Sequence, residues 1–141
     1  MFRMAPRPPS SLDNGELLPC PGPPNCVCSQ DNTPKHWVAP LRGHGSVVTA
    51  MARLKEIVRA DPRTTILDST PSYLRVEYRS RLFRFVDDVE FLANPPAGTI
   101  EVRSCSRVGY WDLGVNRRRI ERLRGALEAA LQSHPPQPGS I

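Results

Sequence analysis

Apolar residues return every three to four positions between Val47 and Val58. Val47, Met51, Leu54 and Val58 fall at i, i+4, i+7 and i+11, one helix face, which Ala50 and Ile57 widen. This spacing predicts a helix over residues 46–60, with Ser46 as its N-cap. Asp61-Pro62 ends it, because the residue before a proline is pushed out of the α region. Beyond Thr64 the period drops to two. "TTILDS" (64–69) is a short strand with a β-branched start. "SYLRVEYRS" (72–80) sets Leu74, Val76 and Tyr78 against Tyr73, Arg75, Glu77 and Arg79. "LFRFVDDVEFLA" (82–93) alternates less simply. "TIEVRSCSR" (99–107) puts Ile100, Val102, Ser104 and Ser106 opposite Glu101, Arg103, Cys105 and Arg107. The connections "STPS" and "NPPAG" are short, which implies antiparallel pairing. The helical period returns with Ile120, Leu123, Leu127 and Leu131, predicting a helix over residues 117–132. Asn116 is its expected N-cap, and Val115 can staple onto Ile120.

Each amphipathic stripe needs a sheet face to bury against. The expected fold class is α+β: a single domain with a four-stranded antiparallel sheet and two helices packed on one face, in the order α-β-β-β-β-α, behind an extended Cys/Pro-rich N-terminal segment. The chain of 141 residues is one domain's worth. Proline and polar residues are too dense in segments 1–19 and 133–141 for burial there to offset the chain entropy lost on folding. Both are expected to be disordered, around an ordered domain of residues 20–132.

The net charge is +5 and rests on arginine, since Lys35 and Lys55 are the only lysines. That biases the chain toward anionic partners, although a compositional preference for arginine gives the same count. No apolar run approaches the roughly 20 residues of a membrane span. Arg3 and Arg7 precede no apolar stretch of the kind a secretory signal carries. The chain as written is expected in the cytoplasm. Cys20, Cys26 and Cys28 crowd one loop and Cys105 lies far away. Their C-x5-C-x-C spacing matches no zinc pattern. Disulfides and free thiols both remain open.

Candidate chemistry gathers in two places. Asp87, Asp88 and Glu90 form an acidic cluster in which Asp88 and Glu90 share a strand face. Two carboxylates on one face suit acid–base work or a metal; the plainer alternative pairs them with Arg103 and Arg79, as a structural cluster. The second place is "SCSRVGYWDLGVN", which runs from the last strand through Gly109 and Gly114 to a helix start. Such a start favours anions, so Arg103, Ser104, Ser106, Arg107, Asp112, Asn116 and Arg117 are the candidate ligand-binding residues. No phosphate-loop or dinucleotide pattern is present. Three arginines at a helix start oppose the helix dipole. Arg117 is expected to turn back and, with Arg107, hold a carboxylate or a bound anion, while Arg118 and Arg119 reach solvent. Five arginines crowd that helix, but with Tyr110 and Trp111 as the only nearby aromatics nucleic acid is not the expected partner.

"CPGPPNCV", "FRFVDDVEF" and "VRSCSRVGYWDLGVNRRRIERLR" resemble the family catalogued as domain of unknown function 1499, over roughly residues 20–131. The family has no settled activity to carry over. Many members look exported or lipid-anchored, so the resemblance also allows an extracytoplasmic site. The residues that match the family's cysteine loop are Cys20 and Cys26, which makes Cys20–Cys26 a candidate disulfide. Cys28 and Cys105 depart from the family pattern, where Ser and Ala are usual. A private Cys28–Cys105 disulfide follows if the loop covers the last strand and brings the two Cα atoms within about 4.4–6.8 Å. The resulting expectation is a non-catalytic binding or accessory module for a small anionic ligand or an acidic protein partner, with no cofactor and no metal. The alternative is a hydrolase using Asp88 and Glu90, or a cysteine, with His36.

Overall fold

The computed structural model describes residues 12–13, 15–81, 85–109 and 111–133. Two helices, α1 (Val47–Ala60) and α2 (Val115–Ser133), pack on one face of an antiparallel sheet. Ser46 caps α1 by accepting from the Thr49 amide, and Asp61 ends it in extended backbone. The strands, in chain order, are β1 (Leu12–Asp13), β2 (Glu16–Leu17), β3 (Cys26–Cys28), β4 (Leu41–Arg42), β5 (Thr64–Ser69), β6 (Tyr73–Arg79), β7 (Val86–Asn94) and β8 (Thr99–Ser106).

The sheet has six strands, not the expected four. Its order is β3-β8-β7-β6-β5, and β4 pairs with the other end of β8 beside β3. The extra two are β3, in the Cys/Pro-rich segment, and β4, just before α1, so the element order places four short strands before α1. Strands of two and three residues are too short to show a period of two, which is why alternation alone missed them. Within segment 1–19, the described residues include β1 and β2, which pair antiparallel, and a buried Leu17. Of the tail 133–141 only Ser133 is described, as the last residue of α2.

One sheet face carries Leu74, Val76, Val89, Phe91, Ile100 and Val102. They pack against Met51, Leu54 and Val58 of α1 and Ile120, Leu123 and Leu127 of α2 to make the main core. The other face is polar, yet it is buried too. Register sets Glu77 opposite Asp88 and Asp88 opposite Cys105; the next rung runs Arg75, Glu90, Arg103. Arg75, Glu77, Asp88 and Glu90 are each at most 6% exposed. The segment leading from β2 to Cys20 lies over part of this face. There Leu17 packs with Cys28 and Tyr73, flanked by Cys20 and Leu92.

Candidate functional site

The residues singled out in the sequence separate into three environments. Arg103 and Arg107 lie on the buried polar face. Arg107 grips Asp88 with a two-pronged contact, Nε to Oδ2 at 3.0 Å and Nη2 to Oδ1 at 2.6 Å, and reaches Glu77 at 3.4 Å. The Asp88 hydrogen bond is the main reason that the guanidinium's affinity for its proton is raised, despite its burial. Arg103 lies 3.8 Å from Glu90 and donates to the Leu18 carbonyl. Asp88 and Glu90 are thus engaged by arginine on the face away from the helices.

Ser104, Ser106, Asp112 and Asn116 come together at the start of α2, as a closed hydrogen-bond network. Ser104 Oγ donates to Asn116 Oδ1 at 2.6 Å, and Asn116 Nδ2 donates to Asn25 O, Ser106 Oγ and Asp112 Oδ2. Asn116 is fully buried inside the helix rather than capping it. The cap is Asp112, whose carboxylate accepts from the Gly114 and Asn116 amides at 2.8 and 3.0 Å. Gly114, at φ 79°, turns the chain into the helix.

The arginine run divides differently from the expectation. Arg117 points outward and donates to the main-chain carbonyls of Trp37 and Lys35, holding no carboxylate. Arg119 is the one that turns in. It pairs with Asp87 at 2.8 Å, donates to Ser104 Oγ and Asn116 Oδ1, and lies 4.6 Å above the Tyr78 ring. Helix residues two apart point in nearly opposite directions, so only one of the two could face the sheet. Arg122 holds Asp61, and Arg124 holds Glu121 together with the carbonyls of Ala39 and Pro40. Each arginine of this helix thus has at least one partner within the protein.

The cysteines are equally settled. Cys20 and Cys26 form a disulfide. Cys28 and Cys105 do not: both are buried free thiols. Cys105 stands opposite Cys26 and Cys28 opposite Arg103, so Cys28 and Cys105 are diagonal neighbours, about 7–8 Å apart and beyond disulfide reach. Burial raises the Cys28 thiol to about 11, away from a reactive thiolate. His36 is buried and its Nδ1 lies 3.0 Å from the Cys26 carbonyl; a carbonyl only accepts, so Nδ1 donates. Among the described residues no hydrogen bond or ion pair joins His36 to a thiol, Asp88 or Glu90.

What the sequence reading missed is a cleft of about 860 Å³ where the α1–β5 turn and the β6 end meet the start of α2. Arg63, Arg79, Arg118, Arg119 and Arg122 line it, against Asp61, Asp87 and Glu121. Each carboxylate already has an arginine. Among the described residues, Arg63 and Arg118 hold only main-chain carbonyls, those of Arg79 and Leu113. Beside the cleft, and sharing Ser80, Asp87 and Val115 with it, lies an apolar cavity of about 310 Å³ lined by Phe85, Val108, Trp111 and Leu113. Trp111 and Leu113 are 69% and 62% exposed at its edge. No sequence spacing signals this site, because Arg63, Arg79 and Arg118 meet only through tertiary packing.

No helix among the described residues is long and apolar enough to cross a membrane. Neither the curated proteins nor the solved structures contain a match to the chain. A family model described as "protein of unknown function (DUF1499)" matches residues 16–127, from β2 into α2, and so takes in both the buried ionic face and the arginine cleft. The chain belongs to that family.

Proposed function

We propose that this protein is a non-catalytic binding module, and that its ligand is an anion with an apolar part. The charged end occupies the arginine cleft, bound by Arg63 and Arg118. The apolar part lies in the adjoining cavity against Phe85, Val108 and Trp111. The observation that carries the reading is the surplus of guanidinium in the cleft: five arginines line it, and its three carboxylates are already neutralised. The cavity's volume falls at the small end of ligand sites, roughly 300–1,000 Å³. Arg63 and Leu113 also hold positive φ, 57° and 58°, a conformation that costs energy for such side chains and that gathers at functional sites.

Calorimetry on the full chain tests this with three probes: decyl phosphate below its micellar concentration, inorganic phosphate, and uncharged decyl maltoside. Decyl phosphate is expected to bind at least about tenfold more tightly than either of the others, a difference of about 1.4 kcal/mol. Replacing Arg63 and Arg118 together by alanine is expected to remove that advantage. Equal binding of decyl phosphate and the maltoside, or an unchanged double variant, overturns the proposal.

A further inference from the structure

The strand register places a thiol against a disulfide. β3 and β8 pair so that Cys26 stands directly opposite Cys105. The Ser106 amide donates to the Asn25 carbonyl at 2.9 Å, and the Ser29 amide to the Val102 carbonyl at 2.9 Å. Those two rungs are hydrogen-bonded pairs and such pairs alternate along the ladder, so the Cys26–Cys105 rung next to Asn25–Ser106 is a non-hydrogen-bonded pair. In such pairs the Cα atoms lie about 4.5 Å apart and the side chains approach most closely. That separation falls within the range a disulfide spans, about 4.4–6.8 Å. Cys26 is at present bonded to Cys20, and Cys105 is a free thiol.

We propose that Cys26 and Cys105 form a second disulfide position, reached by thiol–disulfide exchange within the chain. The Cys105 thiolate attacks Sγ of Cys26. A Cys26–Cys105 bond forms, the Cys20–Cys26 bond breaks, and the Cys20 sulfur leaves with the electron pair and takes up the proton that Cys105 gave up. The step needs no outside oxidant or reductant, and the chain keeps one disulfide and two thiols. The exchanged bond locks β3 to β8 and closes a longer loop, which restrains the unfolded chain more. It also unties the segment over the polar face. Leu17 and Cys20 would then be held by the hydrogen bonds that their amides donate to the Gln30 and Asp31 side chains, and Leu18 by its carbonyl contacts with Cys28 and Arg103.

Burial raises the Cys105 thiol, so the resting form is protonated and exchange quickens with rising pH. The attack falls on Cys26 rather than Cys20 because Cys26 occupies the opposed rung.

Disulfide mapping by mass spectrometry tests the exchange. The full chain is incubated at pH 7 and at pH 9, quenched in acid and digested without reduction. A Cys26–Cys105 peptide pair that grows at pH 9 is expected. Cys20–Cys26 alone, or a Cys20–Cys28 pair in its place, overturns the proposal. A Cys20→Ser variant supplies a second reading that does not depend on the exchange rate. Oxidised glutathione should convert Cys26 and Cys105 to one disulfide, releasing two reduced glutathiones, and leave Cys28 as the single thiol titrated after denaturation. Three thiols titrated in that variant, or a Cys26–Cys28 bond, overturns the proposal.

Discussion

Two arginines ten residues apart, Arg107 and Arg117, show how burial decides what a guanidinium is worth. Arg107 is 8% exposed at the side chain and closes both oxygens of a buried carboxylate. Removing it leaves Asp88, 4% exposed, as a buried charge missing its best partner. Arg107→Ala is expected to cost on the order of 3–5 kcal/mol. Lysine should not restore that loss, because one ammonium cannot match a two-pronged carboxylate contact. Arg117 only supplies exposed main-chain carbonyls with donors that water can replace. Arg117→Ala is expected to cost below about 1 kcal/mol. Urea midpoints for the three variants check this, and equal shifts for Arg107→Ala and Arg117→Ala would refute it.

At the scale of elements, the start of α2 is built by a residue outside the helix and one inside it. Asp112→Ala removes the acceptor for two otherwise orphaned amides and is expected to cost about 1 kcal/mol, as lost caps do. Asn116→Ala is expected to cost more, because it takes the acceptor from the Ser104 hydroxyl and the donor from the Ser106 hydroxyl, at about 1–3 kcal/mol for each group left unpaired, while the Asn25 carbonyl keeps the Ser106 amide. Thermal denaturation of both variants settles the order; a milder effect for Asn116→Ala would mean that water takes over its bonds. The helices and the four long strands were legible in the sequence because period 3.6 and period 2 persist over enough residues to be told apart. The β5 stretch, 64–69, and the Ser46 cap agree with the pattern to the residue. "CVC" and "LR" are too short to carry a period, so β3, β4 and the sixfold sheet were not. The alternation of "SYLRVEYRS" located both faces of β6, but a row of charges reads as a solvated face. Its burial depends on a covering segment that no local pattern announces. Nor did any local pattern announce the hydrogen bonds that tie Ser104 and Ser106 to Asn116.

The molecule as a whole is a sheet covered on two sides by unlike means. Helices seal the apolar face with a large core, whereas the ionic face is overlaid by a short segment anchored by one leucine, one disulfide and a few hydrogen bonds. The two covers should therefore open with different free energies, since local stability follows local apolar burial. Leu17 is 3% exposed and packs directly on Cys28, whose thiol also donates to the Leu18 carbonyl at 3.5 Å. Leu17→Ala removes most of that apolar contact, and its cost falls on opening of the segment before it falls on global unfolding. The Cys28 thiol reports the opening. In the native wild type it is buried and protonated, so a thiol reagent at neutral pH should label it slowly. In Leu17→Ala the labelling rate of Cys28 is expected to rise at least about tenfold, which corresponds to about 1.4 kcal/mol off the opening free energy. Hydrogen exchange of α1 and α2 amides should stay within error of wild type. If helix exchange and Cys28 labelling accelerate together by the same factor, the two covers are one cooperative unit and the ionic face has no independent opening.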